Sequence, residues 1–249
     1  TDKIVGVISE PSNLFSKLAF LITKATDWLL PLFLLIIVAI VSTFIYMSNP
    51  EIKLEMQQQQ EKAMREQFQK MVESGQMTQQ QVDEQLDKTA EMMNNPMIIY
   101  LIPSISIFVI MLLWFFIFTT IAFLIAKFAF KGDGSYSQAM TAMGLSMYIS
   151  VLQSIILVIV GLLMGKMLTG LNPASLTGMD IKTLPGFLLS RLDVFSIWFY
   201  IVVGIAFAKM FKSDNVKKYI FTSIGFWLVF MFIIFGLSKV SPMFGNMIR

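Results

Sequence analysis

The stretch WLLPLFLLIIVAIVSTFIYM, Trp28 to Met47, runs for twenty residues without a charge, and its reading decides the fold. At 1.5 Å of rise per residue, a helix of that length crosses about 30 Å, the hydrocarbon thickness of a bilayer. Residues 97–126, 139–164, 194–210 and 219–237 read the same way. Against 56% hydrophobic residues the chain sets only 14% charged ones, and its mean hydropathy is +0.71. The expected fold is therefore all-α and polytopic, with five transmembrane helices in a membrane domain over 28–249.

Working outward from the first span, residues 1–27 mix Val5, Ile8, Leu14, Phe15, Leu18 and Leu21 with Lys17 and Lys24. This is the pattern of an amphipathic segment lying on the cytoplasmic membrane surface, with a helix start near Pro11 capped by Ser12 or Asn13. The charges scattered among these residues do not fit a secretion signal, so the N-terminus is expected to belong to the mature chain. Asp27 and Trp28 mark the water boundary, and Pro31 is expected in the first helical turn, where its missing N–H costs little.

On the other side of the span, residues 48–95 are rich in Gln, Glu and Met. Ile52, Met56, Ala63, Met64, Phe68, Met71 and Val72 recur at helical steps, and so do Val82, Leu86, Ala90 and Met93 beyond a break at Ser74-Gly75. Two apolar stripes either side of a glycine turn predict an extramembrane helical hairpin between the first two spans, with Thr78 and Gln81 capping its second helix. Met56, Met64, Phe68, Met71, Val82, Leu86 and Met93 could pack the hairpin on itself, or serve as an adaptable thioether-rich surface for a protein partner.

The chain has neither Cys nor His. Disulfides, thiolate and imidazole metal sites, and Ser-His triads are thereby excluded, and no Ser, Lys, Asp or Tyr spacing pairs a nucleophile with a base. No catalytic residue, cofactor or metal ligand is expected, and the nineteen methionines follow packing positions rather than a copper-binding pattern. A net charge of +3, evenly scattered, does not describe a nucleic-acid groove. The expected partners are the lipid bilayer and other integral membrane proteins, or a second copy of the chain. Within the spans, Gln153 is the most polar group, read either as interhelical glue or as the wall of a small-molecule path. Gly161 and Gly165 form a small-xxx-small pair suited to close helix approach. Arg191 and Asp193, two apart before 194–210, read as an interfacial ion pair. Gly132-Asp133-Gly134 reads as a tight turn and not a phosphate loop, since no strand precedes it and no Gly-Lys-Ser/Thr follows it.

Orientation follows from lysine and arginine near span ends. With the N-terminus inside, the inner loops carry Lys127, Lys131, Lys209, Lys212, Lys217 and Lys218, helped by Lys17 and Lys24. The outer loop and tail carry Lys166, Lys182, Arg191, Lys239 and Arg249. The expectation is a cytoplasmic N-terminus and an external C-terminus.

Several pieces in order carry a family resemblance: Glu10-Pro11-Ser12-Asn13-Leu14-Phe15, then Trp28-Leu29-Leu30-Pro31, then Lys131 to Ala139, then Leu192-Asp193-Val194-Phe195-Ser196-Ile197-Trp198. Together they resemble the Yip-type (Ypt/Rab-interacting protein) membrane domain family in its bacterial form, with the hairpin as a variable insertion. That resemblance implies five spans and no enzymatic activity. Its implied role is that of an accessory protein of the bacterial cytoplasmic membrane, in some cases beside an ABC-type exporter.

Overall fold

The computed structural model describes residues 2–92, 95 and 97–240, and every regular element among them is helical. In order these are α1 (Asp2–Ser9), α2 (Pro11–Leu18), α3 (Thr26–Ser48), α4 (Pro50–Glu73), α5 (Gln79–Met92), α6 (Met97–Ala129), α7 (Tyr136–Met164), α8 (Pro173–Thr177), α9 (Leu184–Ser190), α10 (Val194–Met210) and α11 (Val216–Val240). The first and last turns of α6 are π-helical.

α7 is the central helix. Its first half presents Ala139, Thr141, Ala142, Gly144 and Ser146, all buried, and α3, α6 and α10 pack around it. Small side chains let neighbouring backbones approach, which matters in a bilayer because lipid tails are as apolar as the helices and supply no hydrophobic driving force. A Cβ on Gly144 would sit 2.4 Å from the Cα of Trp28 on α3, and one on Gly204 of α10 would sit 2.5 Å from the Cα of Ile220 on α11. These two glycines are the tight crossings of the bundle.

α3, α6, α7 and α11 are each long and apolar enough to span a membrane. The stretch 194–210 is shorter than the expectation required: α10 has 17 residues, about 25 Å against the roughly 30 Å to be crossed. It reaches further only together with α9, from which it is bent by 58°. Among the described residues there are therefore four such helices, or five if the bent pair crosses as one.

The N-terminal segment differs from a single surface helix. Pro11 disfavours helical geometry at Glu10, which sits at φ −139°, so two short helices form instead. Ser12 and Asn13 fall inside α2 and cap nothing; the Asn13 amide donates to Glu10 Oε2 at 2.9 Å. Both helices dock on the bundle, α1 against α7 and α2 against α10, with Val7 and Phe15 completely buried. Lys3 of α1 is paired at 2.5 Å with Asp27, itself 6% exposed in the first turn of α3. α3 starts at Thr26, which carries Pro31 past the first turn, and Trp28 stacks on Phe115 of α6 at 5.4 Å instead of standing free at the interface.

The loop after α6 lies on the same end of the bundle, and Gly132 and Gly134 owe their identity to room rather than to a turn. Neither has a positive φ, and a Cβ on either would stand within 3.0 Å of the Phe211 side chain. Asp133 N donates to Phe211 O at 3.1 Å and Lys212 pairs with Asp133 at 2.7 Å, locking this loop to the α10–α11 loop.

Candidate functional site

At the opposite end, the chain between α7 and α10 folds over the bundle. Asn172 caps α8 through Ser175 N at 2.9 Å, and Thr183 caps α9 through Gly186 N at 3.2 Å. α9 is fixed to the end of α11 by Phe187 stacking on Phe235 at 4.3 Å.

Asp193 is the hub of this end. It caps α10, accepting Ser196 N at 2.8 Å and Gln153 Nε2 from α7 at 3.0 Å on Oδ1, and Leu171 N at 2.6 Å on Oδ2. The carboxylate is only 3% exposed. A buried anion is tolerable when N–H donors replace its water, and the positive end of the α10 dipole helps. Gly170 makes the loop's approach possible, since a Cβ there would lie 2.9 Å from Asp193 Oδ2. Arg191 sits two residues away, its guanidinium 5.0 Å above the Phe187 ring and donating to Ser190 Oγ at 2.9 and 3.1 Å. Around these groups lies a mostly polar cavity of about 280 Å³. The cavity brings Gln153 together with Arg191 and Asp193, which the sequence offered as interhelical glue on one side and an interfacial ion pair on the other.

The Yip1 domain matches residues 5–237, nearly the whole chain. The chain belongs to the Yip1 domain family. No curated protein matches it, and no solved structure matches it. With its apolar helices, membership makes this an integral membrane protein.

Elsewhere in this Yip1-family chain the remaining candidates fall in different places. Gly161 is an approach point for Tyr46 of α3: a Cβ there would meet the phenol oxygen at 2.6 Å, and that phenol donates to Leu157 O at 3.0 Å. Gly165 does not share the role. It ends α7 in the left-handed conformation, φ +64°, and so caps the helix instead of packing inside it. In the hairpin, α4 and α5 lie against one another. Val82 and Leu86 are buried on α5, while Met64, Phe68 and Met71 are half-buried on α4. Met56 faces the bundle and packs on the cluster of Tyr46, Ile52 and Val158. Met93 lies outside the described residues. Much of the apolar stripe is thus turned inward, leaving the outer face of the hairpin to Gln, Glu and Lys.

Among the described residues no three His, Cys, Asp or Glu side chains cluster as a metal site. Residues missed by sequence reasoning are Lys3 with Asp27, and the close-packing glycines 144 and 204. The Gly204-to-Ala208 spacing was a readable small-xxx-small signal; Gly144 carried none, because its neighbour Trp28 comes from a distant segment.

Proposed function

We propose that this Yip1-family chain is a non-enzymatic accessory or scaffold protein of a bacterial cytoplasmic membrane, associating with other integral membrane proteins, an ABC-type exporter or a second copy among them. In this reading α9–α10 is a broken fifth span, the N-terminus is cytoplasmic, and the hairpin and C-terminus are external. The observation that carries it is the rooted hairpin. Ile52, fully buried, fastens the start of α4 to the end of α7, so that a charged helical arm stands on the membrane domain in a fixed place. A projecting arm of that kind suits docking, and its contacts would come from its polar outer face together with Met64, Phe68 and Met71 at the seam. The test is affinity purification in mild detergent, with and without residues 56–92. Loss of stoichiometric membrane-protein partners on deletion is expected; full retention would remove the arm from the docking role.

A second reading rests on the cavity at Asp193. Its Arg191 cation, Gln153 amide and apolar rim fit a small zwitterion, as in a transporter or channel. Ligand-dependent flux from reconstituted protein, abolished by Gln153→Leu, would favour this reading over the scaffold; no flux would discard it.

A further inference from the structure

A second cavity, of about 310 Å³, opens between α6, α10 and α11 at membrane depth. Trp114 and Phe118 of α6, Phe207 of α10 and Phe226 of α11 line it, and Phe130 and Tyr219 stand at its mouth, the end nearer the N-terminal helices. Its size is at the low end of ligand pockets, about 300–1,000 Å³. The lining is overwhelmingly apolar and offers water little, because a buried water needs two to four polar partners and the hydroxyls of Tyr200, Tyr219, Thr222 and Ser223 are the polar side-chain groups in it. Of the hydroxyls present, Ser223 is already bonded to Tyr200 O and Ile220 O. Protein interiors do not keep gaps of this size empty, and the molecules that surround spanning helices are lipids.

The N-terminal mouth is chemically different. Lys218 Nζ stands 3.8 Å over the Phe130 ring, which meets Tyr219 edge-on at 4.9 Å. Lys127 in the last turn of α6, Lys131 just beyond it and Lys217 beside Lys218 in the first turn of α11 make this end of the chain basic, and Asp133 is occupied by Lys212. The Tyr219 hydroxyl is buried and no hydrogen bond satisfies it. We infer that this cleft binds one membrane phospholipid, its acyl chain between α6 and α11 and its anionic headgroup against Tyr219, Lys218 and Lys131. An acyl chain gains little by leaving bulk lipid for an apolar groove, since the two are equally apolar. Selectivity therefore arises at the headgroup, where each basic side chain beside an anionic surface is worth about five-fold in affinity.

The experiment is native mass spectrometry of the full chain, titrated with phosphatidylglycerol and with phosphatidylcholine of the same acyl chains. Phosphatidylglycerol adducts are expected to persist preferentially, and Lys218→Gln and Lys131→Gln each to lower that preference about five-fold. Ala122→Phe, which fills the cleft from α6, is expected to remove adducts of both lipids, whereas Ile159→Phe on the lipid-exposed face of α7 leaves them. Should Ala122→Phe fail to fold, quenching of Trp114 fluorescence by brominated phosphatidylglycerol, lost in Trp114→Phe, gives the same answer. Equal retention of both lipids, preference surviving the double lysine variant, or absence of Trp114 quenching overturns the assignment. So does a dimer that Ala122→Phe dissociates, which would give the cleft to a second copy.

Discussion

Gly144 and Gly204 hold the bundle together by having no side chain. Adding a methyl group at either drives it into backbone, which cannot rotate away. Gly144→Ala and Gly204→Ala are each expected to cost about 1–3 kcal/mol, read as a lowered unfolding midpoint in detergent. Gly225 on α11 has nothing within 4 Å of a built Cβ, so Gly225→Ala is expected to be neutral or to stabilise by about 0.5–1 kcal/mol. The contrast separates crowding from helix propensity. Asp193 makes a comparable demand: Asp193→Ala removes the cap and leaves Leu171 N and Gln153 without their acceptor, an expected loss of about 2–4 kcal/mol. Asp193→Asn keeps one acceptor oxygen and is expected to cost less in the same assay. The sequence made Gly161 and Asp193 visible as polar or small residues near spans, but a glycine's task depends on which backbone lies opposite. Trp28 opposite Gly144 is a contact between residues 116 positions apart, beyond the reach of local periodicity.

At the scale of elements, the hairpin was legible because its apolar steps, glycine break and Thr78–Gln81 cap are all local. Gln81 N donates to Thr78 Oγ1 at 3.3 Å and the Gln81 side chain accepts Thr78 N at 2.8 Å, the reciprocal pair of a capping box. Its attachment was not legible, since Ile52 meets Val158 only after α7 has returned across the bundle. Ile52→Ala is expected to remove about 2–5 kcal/mol of anchoring, seen as faster proteolysis at residues 49–53 with the membrane helices intact. The hairpin also has a pH response of known sign. The Lys88 hydrogen bond and charge hold the Glu84 carboxyl below its usual range. Its contribution is complete above the ordinary carboxylate range and is lost as pH falls through the depressed value. An NMR titration is expected to show that low midpoint, moving up in Lys88→Gln. Lys212 does the same to Asp133 across the α6–α7 and α10–α11 loops.

For the whole molecule, the absence of cysteine makes topology directly measurable. With a membrane-impermeant maleimide on intact cells, Ser74→Cys at the hairpin tip is expected to label from outside, and Ser213→Cys between α10 and α11 only after permeabilisation; the reverse pattern would invert the proposed orientation. Hydropathy alone conveyed the spanning helices, because twenty apolar residues in a row have few other uses. It did not convey that 194–210 leans on α9 through a bend at Asp193, since that depends on a polar hub assembled from three separate segments.

The spanning helices are also unequal. α6 has 33 residues and α3 has 23, about 50 Å and 35 Å if straight, while α10 alone gives about 25 Å. No single hydrocarbon thickness suits all of them. The longest helix is expected to tilt or protrude, at fractions of a kcal/mol per ångström of mismatch, and α10 depends on α9 to extend its reach. A membrane matched to α3 is thus expected to be thin for α6, so that the protein's preferred surroundings are expected to shift with bilayer thickness.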